Sequence, residues 1–301
     1  MQDTWEWNGN TWVERHPEGP LPQWRQQAGM AYDLARGVSV VFGGYDGLDK
    51  RQDTWEWDGQ TWTEKLPQDP QGPLPPNRYG GAMAYDVARG VTVLFGGEGY
   101  QPALLQDTWE WDGEAWVERH PVGQLPPGGY DHAMAYDTAR EVSVLVKGGQ
   151  TWEWDGEVWT KKNAGSSPDC KIAYDTVREV SVCVGGGETW TWNGKMWIAA
   201  QIPTAAAWRG EHAMAYDTDR EVTVLFGGND VGDSDSGTSG EVVQDTWEWD
   251  GKHWTQIKSA TSPPARYRHA MAYDSARGRT VMFGGWDASN SLLADTWEWD
   301  G

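Results

Sequence analysis

Three observations predict an all-β fold, a six-bladed β-propeller of four-stranded antiparallel blades. Near-copies of the phrase DTWEWDG recur along the 301 residues, at Asp3–Gly9, Asp53–Gly59, Asp107–Gly113, Asp245–Gly251 and Asp295–Gly301, with degraded forms at Thr151–Gly156 and Thr189–Gly194. Their first tryptophans, Trp5, Trp55, Trp109, Trp152, Trp190, Trp247 and Trp297, lie 50, 54, 43, 38, 57 and 50 residues apart. Between each pair stands a second phrase, clearest as HAMAYD followed by VLFGG. A period of about fifty residues built only from short β-like runs is the mark of blades set around an axis. Repeat folds exceed the usual domain size as one unit, so a single domain over residues 1–301 is expected.

Each blade reads as four strands. In the last repeat Tyr267–Tyr273 alternates and ends at Asp274, predicting an inner strand A. The stretch Asp274-Ser275-Ala276-Arg277-Gly278 supplies residues that tolerate a tight or left-handed backbone. Arg279–Phe283 predicts strand B, closed by Gly284-Gly285, and Asp295–Trp299 predicts strand C. The C–D hairpin is clearest at Trp55-Glu56-Trp57-Asp58-Gly59-Gln60-Thr61-Trp62. Asp-Gly between alternating runs favours a type I′ turn, in a register that sets Trp55 opposite Trp62. Twenty of the 23 tryptophans occupy three repeating slots, so blade-to-blade packing is their expected role.

The strand count is six A, six B, seven C and six D, one C strand more than six blades need. Strands A and B of the last blade lie near the C-terminus, while its strand D is expected at Thr11–Arg15. The ring is therefore closed by N- and C-terminal strands in one blade. Asp3–Trp7 is already hairpinned to that D strand, so Asp295–Trp299 is expected to be displaced or to lie on an edge. An unpaired edge invites pairing with another chain, and self-association through Asp295–Trp299 is the corresponding expectation.

Composition narrows the function classes. The formal charge of −21 argues against nucleic acid, which needs clustered Lys and Arg. No apolar run approaches the roughly 20 residues of a membrane helix. Cys170 and Cys183 alone imply no disulfide framework. Met1-Gln2 leads straight into a strand with no signal peptide, as expected of a segment excised from a longer precursor. An extracellular or cell-surface location fits the acidity.

The double glycine after strand B, the W-x-x-x-x-x-x-W hairpin and R-x-x-H-A before strand A resemble kelch repeats, and the likeness runs through essentially the whole chain. Proteins with such repeats include galactose oxidase, sialate mutarotases, specifier proteins and many partner-binding modules, so the resemblance implies a fold and leaves function open. The copper radical set of galactose oxidase does not map onto these positions, and no cofactor is expected.

Antiparallel order puts the short, uniform A–B and C–D turns on one face and the variable B–C and D–A loops on the other, where binding groups usually sit. The three tryptophans outside the repeating slots, Trp24, Trp208 and Trp286, all fall on that variable face and suggest stacking platforms. Counting back seven residues from the strand A tyrosines gives Arg25, Arg78, Gly129, Ser167, Arg209 and Arg266. Four arginines around the mouth suit an anionic group, or else brace loops. The next positions add Tyr79, Tyr130 and Tyr267, then Asp131, Glu211 and Arg268, as ligand-binding candidates. His132, Cys170, His212 and His269 follow on four consecutive blades as metal-ligand candidates, with interblade packing as the alternative. The acidic run Asn229–Val243 reads as a mobile loop, because its spacing does not fit a calcium-binding loop.

These residues point to a non-catalytic binding propeller that takes a glycan or a protein segment on the variable face. Two alternatives stand beside it. One is a funnel-centred enzyme, metal-dependent or like the sugar mutarotases and epimerases, with Glu211 or Asp131 moving protons beside a histidine. The other is a structural, self-assembling unit.

Overall fold

Glycine at regular intervals and alternation of apolar with polar residues limit the long strands to four to six residues. The computed structural model describes residues 4–7, 12–15, 19–66, 72–101, 103–163, 165, 169–200, 206, 208–230, 240–259 and 262–299, with the backbone alone at 4–7, 12–15 and 230. Among them there is no helix. The strands form six antiparallel blades, each running A-B-C-D from the axis outward.

The first blade is Gly29–Asp33, Val38–Phe42, Thr54–Trp57 and Trp62–Lys65. The second is Ala82–Asp86, Val91–Phe95, Thr108–Trp111 and Trp116–Arg119. The third is Ala133–Asp137, Val142–Lys147, Gln150–Trp154 and Trp159–Lys162. The fourth is Lys171–Asp175, Val180–Gly185, Glu188–Trp192 and Trp197–Ala200. The fifth is Ala213–Asp217, Val222–Phe226, Thr246–Trp249 and Trp254–Ile257. The sixth holds Ala270–Asp274, Arg279–Phe283 and Thr296–Trp299. Each inner strand packs on the next, and the sixth returns to the first, closing the ring.

The core lies between blades. At one interface Ala31, Val40 and Phe42 of the first blade meet Met83, Tyr85, Leu94, Trp109, Trp111 and Trp116 of the second. The D-strand indole of five blades donates to a threonine of the preceding blade: Trp62 to Thr296, Trp116 to Thr54, Trp159 to Thr108, Trp197 to Thr151 and Trp254 to Thr189. A buried indole N–H is costly unless it finds an acceptor, so each pair fixes neighbouring blades in register.

Three details depart from expectation. Trp62 faces Trp57, with ring centroids 5.4 Å apart, and Glu64 faces Trp55. The hairpin loop is four residues long because the Asp58 carboxylate accepts the N–H groups of Gln60 and Thr61, which widens the two-residue turn that Asp-Gly alone would favour. Strand A of the last blade begins at Ala270, and Arg266–Tyr267 pairs instead with Trp286–Asp287 in a separate two-residue ladder.

The third departure concerns closure. Both termini do share the sixth blade, but Thr296–Trp299 is neither displaced nor on an edge. It pairs with Arg279–Phe283 in the C position. The N-terminal strand Thr4–Trp7 adds beside it in parallel, and Trp12–Arg15 becomes the outer edge of a five-stranded sheet. Two nearly identical strands compete for one place, and the one tethered to strand B by a short loop wins on closure entropy. The edge invoked for self-association at Asp295–Trp299 is therefore covered.

Candidate functional site

The variable face is a rim of unequal height. Strands B and C are joined across residues 43–53, 96–107, 227–245 and 284–295 in the first, second, fifth and sixth blades. In the third and fourth blades the connection shrinks to Gly148-Gly149 and Gly186-Gly187, flanked by the pairs Lys147–Gln150 and Gly185–Glu188. Part of the acidic run, residues 231–239, lies outside the described residues.

The four arginines belong to the long loops. Arg25 binds Asp53 through both guanidinium nitrogens, at 2.6 and 2.8 Å, and donates to the Gly43 carbonyl at 2.9 Å. Arg78 does the same with Asp107 and Gly96, Arg209 with Asp245 and Gly227, and Arg266 with Asp295 and Gly284. Each clamps the first and last residues of one B–C loop. All four are buried, and their forks are spent on carboxylates of their own blades, so they form no anion-facing ring. In the third and fourth blades the arginine position holds Gly129 and Ser167, and the aspartate position holds Gln150 and Glu188. Where there is no loop, both halves of the clamp are missing.

At the axis, the residues preceding strand A form a belt of backbone hydrogen bonds running from blade to blade. Arg268 N–H donates to the Glu211 carbonyl, Gln27 to Arg268, Gly80 to Gln27 and Asp131 to Gly80, at 2.8, 2.9, 2.8 and 3.1 Å. All five residues sit at positive φ, between 50° and 66°. For the four that are not glycine this is a strained conformation, held by the surrounding structure. Among the described residues the belt does not continue through Asp169 of the fourth blade.

Inside the belt is a funnel-shaped cavity of about 440 Å³, whose charged lining includes Asp131, Lys147, Asp169, Lys171, Glu211 and Arg268. Asp131 accepts the Gln27 amide at 2.6 Å, and Asp169 accepts the Gly148 N–H at 2.9 Å. Glu211 accepts Arg268 at 2.5 Å and the Asn229 amide at 3.0 Å. The Lys171 ammonium has no hydrogen-bond or ion-pair partner among the described residues. Burial pushes its pKa down, Asp131 and Glu211 oppose this, Lys147 and Arg268 reinforce it, and the result lies below the ordinary lysine value.

Exposed aromatic rings flank the low side of the rim. Tyr130 stands before the third blade, with the Lys147 ammonium 5.7 Å from its ring centre. Trp208 stands before the fifth blade, its ring laid over Gly187, where a Cβ would come within 2.7 Å of it. Tyr130 and Trp208 are 41% and 37% exposed, enough to offer a ring to a ligand. Tyr79 stacks at 6.0 Å on both Tyr45 and Tyr130, and its hydroxyl donates to Glu98 at 2.7 Å. Burial and Glu98 raise the Tyr79 pKa. Tyr267 and Trp286 pack on each other at 6.4 Å, covering their own loop, and Trp24 is exposed before the first blade. Trp24, Trp208 and Trp286 belong to three different blades, and no ring contact joins them.

The proposed metal-ligand set does not assemble. Cys170 forms a disulfide with Cys183, which ties strand A to strand B within the fourth blade. His132 stacks edge-on against Phe95 and bonds the Pro127 carbonyl at 2.8 Å; His269 stacks likewise on Phe226. His212 is buried, and burial with Arg209 and Lys171 pulls its pKa down to about 3. Among the described residues no three His, Cys, Asp or Glu side chains are placed to hold a metal ion. His132, Cys170, His212 and His269 all contribute to the lining of the funnel cavity, and His132 and His269 also pack on a phenylalanine of the preceding blade.

Sequence reasoning missed Lys147 and Lys171, although both were visible as breaks in the repeat. Lys171 replaces the alanine that opens AMAYD in four other blades, and Lys147 stands where the second blade has Gly96. No family model and no curated protein matches the chain. Among solved structures it is similar to that titled "Structure of YjhT", at 14% identity and a TM-score of 0.68, over 92% of this chain and 95% of that one. That likeness supports the six-bladed propeller.

Proposed function

We propose that the protein is a non-catalytic recognition propeller of kelch type that binds a saccharide at the low side of its funnel mouth. The observation that carries this reading is two exposed aromatic rings, Tyr130 and Trp208, each next in sequence to a residue that lines the polar cavity, on the side where the B–C loops are shortest. Aromatic faces pack against the apolar C–H faces of sugar rings, while fixed polar groups orient the hydroxyls. Asp131 and Glu211 retain lone pairs for such hydroxyls, and each is already positioned by a neighbouring side chain. This favours a binding wall over a proton-transfer pair. The Cys170–Cys183 bond supports an oxidising, extracellular or cell-surface location.

Binding to an array of immobilised oligosaccharides tests the reading. Wild-type protein is expected to retain a defined set of glycans. Tyr130→Ala and Trp208→Ala should each lose most of that signal, and Trp24→Ala should keep it. Absence of retained glycans, or equal retention by the two rim variants, overturns the proposal.

A further inference from the structure

The fourth blade is the one whose inner strand opens on a lysine. Its strand A begins with Lys171 where the second, third, fifth and sixth blades begin with Ala82, Ala133, Ala213 and Ala270. A lysine at this inner position projects into the cavity, which it lines together with Lys147 and Arg268. Arg268 is committed to Glu211, and the clamp arginines to their aspartates. The half-buried Lys171 side chain thus lines the cavity with no hydrogen-bond or ion-pair partner of its own among the described residues. An anion entering the cavity would supply that partner.

We propose that Lys171 and Lys147 form an anion-binding subsite in the mouth of the funnel, and that the bound saccharide carries a carboxylate, as in a uronic acid polymer. This rests on the saccharide reading and specifies its ligand class. Asp131, Asp169 and Glu211 share the same lining, so the cavity tolerates one negative charge rather than the dense charge of a sulfated or phosphorylated chain. Their free lone pairs suit ring hydroxyls beside the carboxylate. Among the described residues the B–C connection is shortest in the third and fourth blades, the side on which a chain leaving the funnel would pass between Tyr130 and Trp208. The lowered lysine pKa agrees with an ammonium awaiting a counter-charge.

Calorimetric titration with trigalacturonate, galactotriose and a sulfated galactose trisaccharide tests the inference on wild-type protein and on Lys171→Ala, Lys171→Arg and Lys147→Met. Lys171→Ala installs the residue of the sister blades, and thermal unfolding verifies that it folds. The trigalacturonate affinity is expected to fall about tenfold or more in Lys171→Ala, by a smaller factor in Lys147→Met, and to be largely kept in Lys171→Arg. In wild-type protein trigalacturonate should bind at least about tenfold more tightly than galactotriose, with an affinity that weakens as salt rises. Equal affinity for the charged and neutral trisaccharides, unchanged in Lys171→Ala, overturns the subsite and leaves saccharide binding standing. Preference for the sulfated trisaccharide overturns the carboxylate assignment. If no saccharide binds here or on the array, both readings fall.

Discussion

The second and fourth blades share a backbone and the Asp–Arg brace of the A–B turn, and differ in the polar residues that secure the B–C connection and the middle of strand C. In the second, Arg78 and Asp107 clamp the B–C loop. On its uniform face Glu110 is a buried hub that accepts Arg89, Arg119 and the Trp154 indole of the third blade. In the fourth, the clamp positions hold Ser167 and Glu188, and Thr191 stands in place of that glutamate. The indole that would use such an acceptor, Trp249 of the fifth blade, is buried with its N–H unpaired. The fourth blade has a disulfide instead, and brings Lys171 to the axis. A repeat with redundant internal support can surrender it in one copy, and the freed positions are where a site is built.

Breaking the clamp gives the largest expected effect. Arg78→Met leaves Asp107 half-desolvated and the Gly96 carbonyl short of a donor, at about 3–5 kcal/mol in denaturant unfolding. Adding Asp107→Gln should recover at least half, since the third blade has Gln150 there, which still accepts its Trp152 indole as Asp107 accepts that of Trp109. If the double variant is no better than the single one, the clamp is not a self-contained unit.

In the fourth blade the corresponding support is covalent. Replacing Cys170 and Cys183 with alanine, or reducing them, opens a link spanning a sequence separation of 13 residues, at about 3 kcal/mol. A reductant that leaves the unfolding midpoint unchanged counts against a stabilising role.

Acid should separate the blades next. The fifth blade carries His212, neutral and buried, where the fourth carries the non-titrating Cys170. In the unfolded chain this histidine takes up a proton near pH 6.5, and in the folded protein only near about pH 3. Within that window the unfolded state binds more protons, so stability falls as pH drops, by about 2 kcal/mol between pH 6.5 and 5. His212→Asn should remove its share of that slope, leaving the part due to His269 and His132, which burial also holds neutral; an unchanged slope assigns the loss elsewhere. The smallest effect sharpens the comparison by repair. Thr191→Glu offers the Trp249 indole an acceptor and is expected to stabilise the protein by about 1 kcal/mol in chemical denaturation. Destabilisation would mean that the fourth blade lacks the space its sisters have for the carboxylate.

Much of this was legible in the chain. The spacing of the DTWEWDG copies counted the blades, and the short YDxAR and WDGxxW turns separated a uniform face from a variable one. The hairpin register was misread because the Asp58 side chain, rather than the Asp-Gly pair, sets the loop length. The four arginines were visible as a ring, but their carboxylate partners, 28 to 36 residues further along the chain, were not. Yet the matching loss of arginine and aspartate in the third and fourth repeats was in plain sight.

What the amino-acid order determined by itself was periodic: strand type, blade number, the indole slots and the meeting of the termini in one blade. These follow from local alternation and repetition, which need no knowledge of distant neighbours. Three-dimensional closure decided the rest, because these outcomes depend on which groups meet across the ring. It chose Thr296–Trp299 over its twin for the closing blade, spent the arginines on loop ends, paired Cys170 with Cys183 and left Lys171 facing the axis. A charge is paired or free only with respect to what surrounds it, and here the surroundings come from all six blades.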